Sequence, residues 1–287
     1  MSQDTKELRR VLAPNPSPLT GQGTNTFLIG VRDVAVIDPG PDDAGHLQAI
    51  VDAAGGQVSH ILVTHAHRDH TAGVAALARM TGAPVYAFGD ALSGRSVSME
   101  KLSGLPSLGG GEGLDMTFRP DHLLADNDVL ETDEWQIRAL HTPGHSGGHL
   151  SFQWQDMILT GDIVMGWSST IISPPDGDLA DYFASLDRLK SVGSRLLLPA
   201  HGDAVTDPAG RIAELFSHRQ MRTDQIVKTL QSGAANATDL ARKIYDIPPQ
   251  LLPAASRNVL AHLIALTDQG RVRPQQDISA DAVFELL

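Results

Sequence analysis

Residues 64–70 read Thr64-His65-Ala66-His67-Arg68-Asp69-His70. The apolar run His60–Val63 precedes this stretch, and the small and apolar residues from Thr71 to Met80 favour a helix after it. Three histidines and one aspartate therefore crowd into a turn between a predicted buried strand and a predicted helix. Imidazole and carboxylate groups are natural ligands of a borderline ion such as zinc. Because a turn points neighbouring side chains in different directions, the first two histidines can serve one ion while Asp69 and His70 serve another.

A solvated polar loop would account for one or two of these residues, but not for four metal-binding side chains within six positions. The pattern His65-x-His67-x-Asp69-His70 resembles the signature of the metallo-beta-lactamase superfamily of metal-dependent hydrolases. That resemblance requires further ligands, which the rest of the chain has to supply.

Length and composition describe an ordinary globular chain. Its 287 residues can bury a large core in one or two domains, and 41% of them are hydrophobic and 20% charged. Cysteine is absent, so any metal site must be built from histidine and carboxylate groups. Residues 1–12 carry charges of both signs without the apolar core of a signal peptide, and no apolar run is long enough to cross a bilayer. We therefore expect a cytoplasmic protein without a membrane partner.

The charge is shared unevenly along the chain. The sequence has 22 basic and 34 acidic residues, a net charge of -12. From Val205 onward there are 9 of each, which leaves 13 basic (22 − 9) and 25 acidic residues (34 − 9) before it. This excess argues mildly against a long polyanion bound over the first part, because phosphate contacts need lysine and arginine. Acidic surfaces also simply favour solubility.

Strands and helices alternate in the first part of the chain, which indicates an α/β fold. Asp42 or Asp43 is expected to cap a helix that ends near Gly55, and Asp178 to cap a helix over 179–192. A further helix is predicted over 72–81. Strands are predicted at 24–30, 33–38, 61–64, 84–87, 135–140, 150–154, 157–160 and 195–200, with a hairpin turn at 155–156.

Residues 89–126 break the alternation. They are rich in glycine and serine, and their apolar residues follow no period. A loop of this length in a compact domain is usually functional or mobile. This segment is interpreted either as a flap near the metal site or as a disordered insertion.

Three later strand ends each carry a candidate ligand. His145 lies in a turn framed by proline and glycine, Asp162 directly follows the predicted strand 157–160, and His201 follows the strand 195–200. Alone, the last two would be read as a turn aspartate and a structural histidine, but after the first cluster they are the expected remaining ligands. His141 is expected to pack or hydrogen-bond nearby. His149 is expected either to touch the substrate or to orient its loop.

With these residues the resemblance covers roughly the first 205 residues. It implies a catalytic domain over 1–205, folded as a four-layer αββα sandwich with its site at one edge of two sheets. It assigns one divalent ion to His65, His67 and His145, and a second to Asp69, His70 and His201, with Asp162 bridging them. Zinc is the metal in most such enzymes, and iron or manganese in others.

The resemblance also implies a reaction. Two divalent ions share a water and lower its pKa from 15.7 to near 7, so that a bridging hydroxide can attack a carbonyl carbon or a phosphorus. Asp69 and Asp162 are the predicted catalytic residues, because they balance the ionic charge and can orient the nucleophile or accept its proton. The sequence offers no separate general base.

Segments outside the ligands narrow the resemblance to one branch. Residues 22–26, 166–170 and 174–178 together look like the branch of the mammalian mitochondrial beta-lactamase-like endoribonuclease and its bacterial relatives. In that branch the segment 166–170 would form a wall beside the metals. The candidate substrate contacts are His149, Trp167, Ser168 and Tyr182.

Residues 206–287 are predicted to form a small, mainly helical winged-helix domain. A long amphipathic helix runs from Pro208 to near Gly233, a second covers 237–245, a third covers 248–268, and a β wing begins at 271–273. Winged helices often bind nucleic acid. Because the net charge here is near zero, packing or homodimerisation is weighed slightly above that role.

Three functions are weighed. The first is a metal-dependent phosphodiesterase on single-stranded RNA, which the branch implies although the catalytic part is acidic. The second is a small-molecule thioester or ester hydrolase like glyoxalase II (hydroxyacylglutathione hydrolase), whose basic glutathione-binding residues have no clear counterpart here. The third is a winged-helix ligand or metal sensor, which the intact ligand set disfavours. Lactam hydrolysis is disfavoured because there is no export signal.

Overall fold

The computed structural model describes residues 7–105 and 107–287. The first six residues of the predicted 1–205 domain and Pro106 of the predicted flap lie outside the described residues. The first of two large sheets follows chain order, antiparallel at first and parallel from its third strand onward. Its strands are β1 Leu8–Leu12, β2 Asn25–Ile29, β3 Val34–Ile37, β4 Val58–Leu62, β5 Val85–Ala87 and β6 His122–Leu123.

The second sheet is built mainly from hairpins. From one edge to the other it contains β11 Leu196–Pro199, β10 Met157–Gly161, β9 Leu150–Trp154, β8 Gln136–His141 and β7 Val129–Glu131. The strands β10 and β11 pair in parallel, and all other neighbours are antiparallel. The predicted hairpin is present between β9 and β10, with Gln155 in the left-handed region at φ 54°.

The described helices cover the outer faces of these sheets or follow them in the chain. They are α1 Ala44–Ala53, α2 Arg68–Thr71, α3 Val74–Thr81, α4 Val97–Ser103, α5 Leu179–Val192, α6 Pro208–Leu230, α7 Ala237–Ile244 and α8 Leu252–Asp268, the last preceded by a 3-10 turn over Pro249–Leu251.

The sheets and helices form the predicted four-layer αββα sandwich. Side chains such as Phe27 and Phe152 fill the space between the two sheets. Helices α1 and α3 cover the outer face of the first sheet, where Ile50 and Leu77 are fully buried, while Leu186 of α5 packs on the second sheet. Strands covered on both faces are apolar throughout, as the fully buried β3 shows.

Local signals set the helix boundaries. The side chain of Asp43 accepts a hydrogen bond from the backbone N–H of His46 at the start of α1, and Asp178 does the same for Ala180 at the start of α5. Pro208 occupies the first turn of α6, where it costs no helical hydrogen bond. The predicted helix over 72–81 begins two residues later, after the single turn α2, which carries Asp69 and His70.

The segment 89–126 contains regular structure. It includes α4 and β6, and Met99 and Leu108 are buried in the apolar core of the C-terminal helices. The backbone of Gly113 accepts a hydrogen bond from Arg68 N–H at 2.9 Å, so the segment also passes the ligand turn. It therefore connects the ligand turn with the C-terminal helices, and the disordered-insertion alternative is wrong for its described residues.

The chain after α6 forms the predicted winged helix. Helices α7 and α8 pack with the end of α6 around a separate apolar core that includes Leu240, Val259 and Phe284. A three-stranded sheet completes it in the order β12 Ala235–Asn236, β14 Val283–Leu286 and β13 Val272–Pro274. The division at 205/206 stays a prediction.

Three edge strands of the two large sheets were not predicted from the sequence, namely β1, β6 and β7. Strand β1 contains the consecutive arginines Arg9 and Arg10, and β7 is three residues long with a largely exposed pattern. The two residues of β6 are both exposed, and all three strands lie at sheet edges and pair with one neighbour, so hydrophobic alternation is weak in them. Over residues 7–105 and 107–287, no helix is long and apolar enough to cross a membrane.

Candidate metal centre

The candidate ligands meet at one edge of the sandwich, because the strands before them end there. The turn after β4 carries His65 to His70, the loop after β8 carries His145, and Asp162 and His201 follow β10 and β11. Three overlapping groups of these side chains each have ligand atoms within 4.8 Å of one another. The groups are His65/His67/His145, His65/His70/Asp162 and Asp69/His70/His201.

The first cluster consists of three imidazoles. His65 Nε2 lies 2.8 Å from His67 Nδ1, and His145 Nε2 lies 2.9 Å from the same atom. His65 and His145 are buried, and His67 is partly exposed. Three ring nitrogens facing one point are typical of the histidine side of a zinc site.

The second cluster adds carboxylates. Asp69 Oδ2 lies 3.2 Å from His201 Nε2 and 3.6 Å from His70 Nε2. Asp162 stands between the clusters: its Oδ1 is 3.6 Å from His70 Nε2 and 3.4 Å from His201 Nε2, while its Oδ2 is 3.6 Å from His145 Nε2. Each oxygen of Asp162 thus faces a different cluster.

Hydrogen bonds at the opposite ring nitrogens orient the imidazoles. The Nδ1 of His145 faces the carbonyl oxygen of Ile171 at 2.7 Å, and that of His201 faces the carbonyl of Gly23 at 3.3 Å. A carbonyl can only accept, so each Nδ1 carries a proton and each Nε2 is the ring atom left to bind an ion.

A carboxylate that the sequence reasoning missed, Asp38, orients two more imidazoles. It is buried and lies 2.9 Å from His70 Nδ1. It also accepts hydrogen bonds from the N–H and the hydroxyl of Thr64, both at 2.8 Å. Because that hydroxyl proton is used, the oxygen of Thr64 can accept from His65 Nδ1 at 3.0 Å. The only sequence signal for Asp38 was its place at the end of β3, before Pro39-Gly40.

These side chains fit divalent metal ions. Among residues 7–105 and 107–287, His70 Nε2 and Asp162 Oδ1 are buried without a hydrogen-bond partner, although such a group costs about 1–3 kcal/mol when left unpaired. Both atoms point into the space shared by the clusters, and all the converging donors are nitrogen or oxygen. Zinc, iron and manganese are compatible with this donor set.

The pKa shifts follow from burial and charge. Burial and the neighbouring imidazoles lower the pKa of His65 far below its usual value, and burial with the nearby His145 lowers that of His67 to about 3. Burial likewise lowers the pKa of His145, although Asp162 opposes it. The first cluster therefore holds neutral imidazoles, the form that binds metal.

In the second cluster, charge outweighs burial. Burial alone would lower the pKa of His70 and His201, but the carboxylates of Asp69 and Asp162 raise both, with Asp38 also acting on His70. Conversely, burial would raise the pKa of the two aspartates, but His70 and His201 lower it. The two carboxylates are therefore ionised at neutral pH and attract cations.

His149 and His141 lie behind the ligands. His149 has no exposed surface, and its Nε2 accepts a hydrogen bond from the backbone N–H of Asp162 at 3.1 Å. It therefore orients the loop of Asp162, whereas the predicted roles were a substrate contact or the orientation of its own loop, and a ring without exposed surface does not face a substrate. His141 hydrogen-bonds to the carbonyl of Gly147 and stacks on Phe88, as expected of a packing residue.

The other candidate substrate contacts have different positions. Trp167 is 49% exposed and packs against Gly21 and Gly202, beside the cluster. Ser168 is partly buried next to it. Tyr182 is fully buried in the core between α5 and the second sheet, so its prediction as a substrate contact is wrong. The helical register of α5 turns Tyr182 inward together with Leu186 and Leu189.

An αββα sandwich with histidine and aspartate clusters at one edge defines a class of metal-dependent hydrolases. The chain belongs to the metallo-beta-lactamase superfamily, whose family model matches residues 19–201. The beta-lactamase associated winged helix domain matches residues 237–281. The suspected family, branch and domain type are thereby confirmed, and the chain is a superfamily hydrolase.

Curated relatives match most of the chain. The "Beta-lactamase-like protein 2 homolog" of Drosophila melanogaster is 30% identical over 294 residues, covering 98% of this chain and 94% of the relative. An "Atrochrysone carboxyl ACP thioesterase" of Aspergillus fumigatus is 29% identical over 257 residues, covering 82% of this chain and 72% of the relative.

Solved structures agree on the fold. A metallo-beta-lactamase family protein from Thermus thermophilus superposes with a TM-score of 0.78 at 24% identity, covering 98% of this chain and 99% of the other. A beta-lactamase domain protein from Burkholderia ambifaria gives a TM-score of 0.80 at 20% identity, with coverages of 98% and 91%. The fold thus extends through both parts of the chain.

Proposed function

We propose that this protein is a dinuclear metal-dependent hydrolase that acts on thioesters or esters. In this proposal His65, His67 and His145 hold one ion, Asp69, His70 and His201 hold the second, and Asp162 binds both. The observation that carries it is the convergence of these side chains around His70 Nε2 and Asp162 Oδ1, two buried atoms without a hydrogen-bond partner in the part of the chain that the structure describes. We propose zinc as the metal, because neutral imidazole with carboxylate is its common ligand set.

The bound ions would supply a hydroxide nucleophile at neutral pH and polarise the bond to be cleaved. The protein side chains contribute position and charge. The side chain of Asp69 is 32% exposed, so it can take up the proton of the nucleophile at the solvent side of the site. Asp162 is only 10% exposed and its loop is held by His149, which suits a fixed bridging role.

A cleft lined by Gly23 and Gly202, which adjoin His201, is the proposed acyl pocket, and none of the candidate metal ligands lines it. It has a volume of about 270 Å³ and is formed by the 21–23 loop, by Gly202 and by the side chains of Leu12 and Trp167. Leu12 is 41% exposed and Trp167 is 49% exposed, so both offer apolar surface to a ligand. Among the described residues that line it, Arg10 is basic and Asp203 is acidic. This surface suits an apolar acyl group better than a chain of phosphates.

Single-stranded RNA is the second candidate substrate. The observation in its favour is the resemblance to the endoribonuclease branch, which agrees with the full-length match to a beta-lactamase-like protein 2 homolog. The proposal of a thioester or ester substrate is supported by relatives named as carboxyl ACP thioesterases.

The test compares both chemistries on one preparation. Metal-loaded protein is assayed on a series of acyl thioesters that includes S-lactoylglutathione, and on single-stranded RNA. An Asp69→Ala/His70→Ala double variant serves as the control. We expect thioester turnover that the double variant loses. RNA cleavage without thioester turnover, lost in the same variant, would contradict the acyl assignment. Binding of two ions without turnover of either substrate would favour the sensor alternative.

A further inference from the structure

A buried arginine connects the C-terminal helices to the candidate metal centre. Arg219 lies in the middle of α6 and is 1% exposed. Within residues 7–105 and 107–287, no carboxylate lies at ion-pair distance from its guanidinium, which contacts Asn258, the carbonyl of Thr170 and the ring of Tyr182. Burial of a cation without an anionic partner costs free energy. The neutral groups around Arg219 therefore have to stay in place to stabilise its charge.

The contacts of Arg219 converge on a short segment of irregular backbone. Arg219 donates one hydrogen bond to the carbonyl of Thr170 and another to Asn258 Oδ1, at 2.9 Å for the latter. The same Asn258 oxygen accepts the backbone N–H of Ile172 at 3.0 Å. Residues 169–173 lie in neither a helix nor a strand, so no regular ladder holds them. The C-terminal helices α6 and α8 therefore fix this backbone from outside.

That segment in turn holds a candidate metal ligand. His145 Nδ1 lies 2.7 Å from the carbonyl of Ile171 and 2.9 Å from the hydroxyl of Thr170. These acceptors set both the tautomer and the ring orientation of His145, whose Nε2 then faces His67. A shift of residues 170–172 would rotate the imidazole or leave its N–H without an acceptor.

We propose that Arg219 and Asn258 are positioning residues of the metal centre, which fix residues 170–172 so that His145 presents its Nε2 to the metal. This inference rests on the proposed function, since it presumes an ion at His65, His67 and His145. It gives the C-terminal helices a role in metal binding, in addition to any contact with substrate or partner.

Asn258 is the residue to substitute, because one atom carries both of its bridging contacts. Asn258→Leu has a similar shape and no acceptor, whereas Asn258→Asp keeps an oxygen for Ile172 N–H and for Arg219. Arg257 offers a matched control on the same helix. It bridges to Ser173 Oγ at 2.8 Å and to the carbonyl of Leu108 at 2.6 Å, without touching residues that hold His145. Arg257→Gln therefore loosens the same interface at Ser173, the last residue of this segment, outside the residues 170–172 that contact His145.

The experiment measures cobalt and zinc binding to metal-free full-length protein, by titration against a chromophoric chelator and by cobalt absorption spectra. For Asn258→Leu we expect one ion to bind about tenfold to a hundredfold more weakly, with an altered cobalt spectrum, while the other ion is less affected. For Asn258→Asp and Arg257→Gln we expect affinities within about twofold of the unsubstituted protein.

The outcomes separate the two proposals. Failure of the unsubstituted protein to bind two ions would contradict the proposed function itself. Two ions bound with unchanged affinity and spectrum in Asn258→Leu would overturn the positioning role alone. An equal weakening in Arg257→Gln and Asn258→Leu would also overturn it, because general loosening of the interface would then suffice. Weaker binding of one ion in Asn258→Leu, together with unchanged affinity in Asn258→Asp, would support the positioning role.

Discussion

Asp38→Asn tests the orientation of the candidate ligands without touching them. Asp38 has φ 52°, a conformation that asparagine tolerates well, so the backbone can stay in place. One carboxylate oxygen accepts from Thr64 N–H, and the other accepts from both the Thr64 hydroxyl and His70 Nδ1. An amide in the same place presents N–H groups where the second oxygen was. His70 would then have to accept at Nδ1 and carry its proton on Nε2, the atom that faces the cluster.

The size of the effect follows from these contacts. Loss of a hydrogen bond to a charged group costs about 1.5–3 kcal/mol. Orienting residues of this kind typically change metal affinity about 10–100-fold, or about 1.4–2.7 kcal/mol. The two ranges agree, so we expect the ion at Asp69, His70 and His201 to bind Asp38→Asn about 10–100-fold more weakly. The ion at His65, His67 and His145 should be affected less, because Asp38 reaches His65 only through Thr64.

The assay is a chelator-competed zinc titration of metal-free protein, with metal content measured after dialysis. Asp115→Asn is the matched control. Asp115 accepts a hydrogen bond from the Thr71 hydroxyl at 2.9 Å, close to the ligand turn, but its carboxylate contacts no candidate ligand side chain. The affinities of Asp115→Asn for both zinc ions should stay within about twofold of those of the unsubstituted protein. Unchanged binding of both ions in Asp38→Asn would refute the reasoning on tautomers.

Three further substitutions test other features. Tyr182→Phe should retain both stability and turnover, because the buried hydroxyl has no hydrogen-bond partner among the described residues; a large fall in kcat/KM would restore a substrate role. Gly144→Ala should lower the free energy of unfolding by about 2–4 kcal/mol, because φ is 135° at Gly144 and a Cβ there would lie 2.4 Å from the Cα of Tyr182. It should also reduce the metal content, because Gly144 precedes His145. An unchanged unfolding midpoint would contradict this. Burial, with Arg219 nearby, lowers the pKa of His262 to about 3, so this residue stays neutral in the folded protein while its unfolded form gains a proton below pH 6.5. The variant His262→Asn keeps a hydrogen-bond donor for Thr223 but does not titrate. Between pH 7.5 and pH 5.5 the free energy of unfolding, measured with urea at both pH values, should therefore fall by about 1.4 kcal/mol more in the unsubstituted protein than in His262→Asn. Equal losses in the two proteins would count against a neutral His262.

Much of the fold could be predicted because its elements carry local signals. Helix α5 has the bounds predicted from its Asp178 cap and its apolar spacing. The strands β9 and β10, with their turn, follow from hydrophobic runs interrupted at Gln155. Strand β1 could not be predicted in this way, because a charged edge strand is held by pairing with its neighbour and has no clear hydrophobic pattern of its own.

The sequence by itself determined the candidate ligand types and their order along the chain, since a chain without cysteine leaves histidine and carboxylate side chains as its metal donors. Tertiary structure alone decided how those donors are held. Asp38 lies 32 positions before His70, and Asn258 lies 86 positions after Ile172, so no local period connects either residue to the site. Tyr182 shows the converse, because its place in the chain suggested a substrate contact and packing of α5 buried it. Ligand identity is a property of single side chains, whereas orientation depends on hydrogen bonds that only the folded backbone brings within reach.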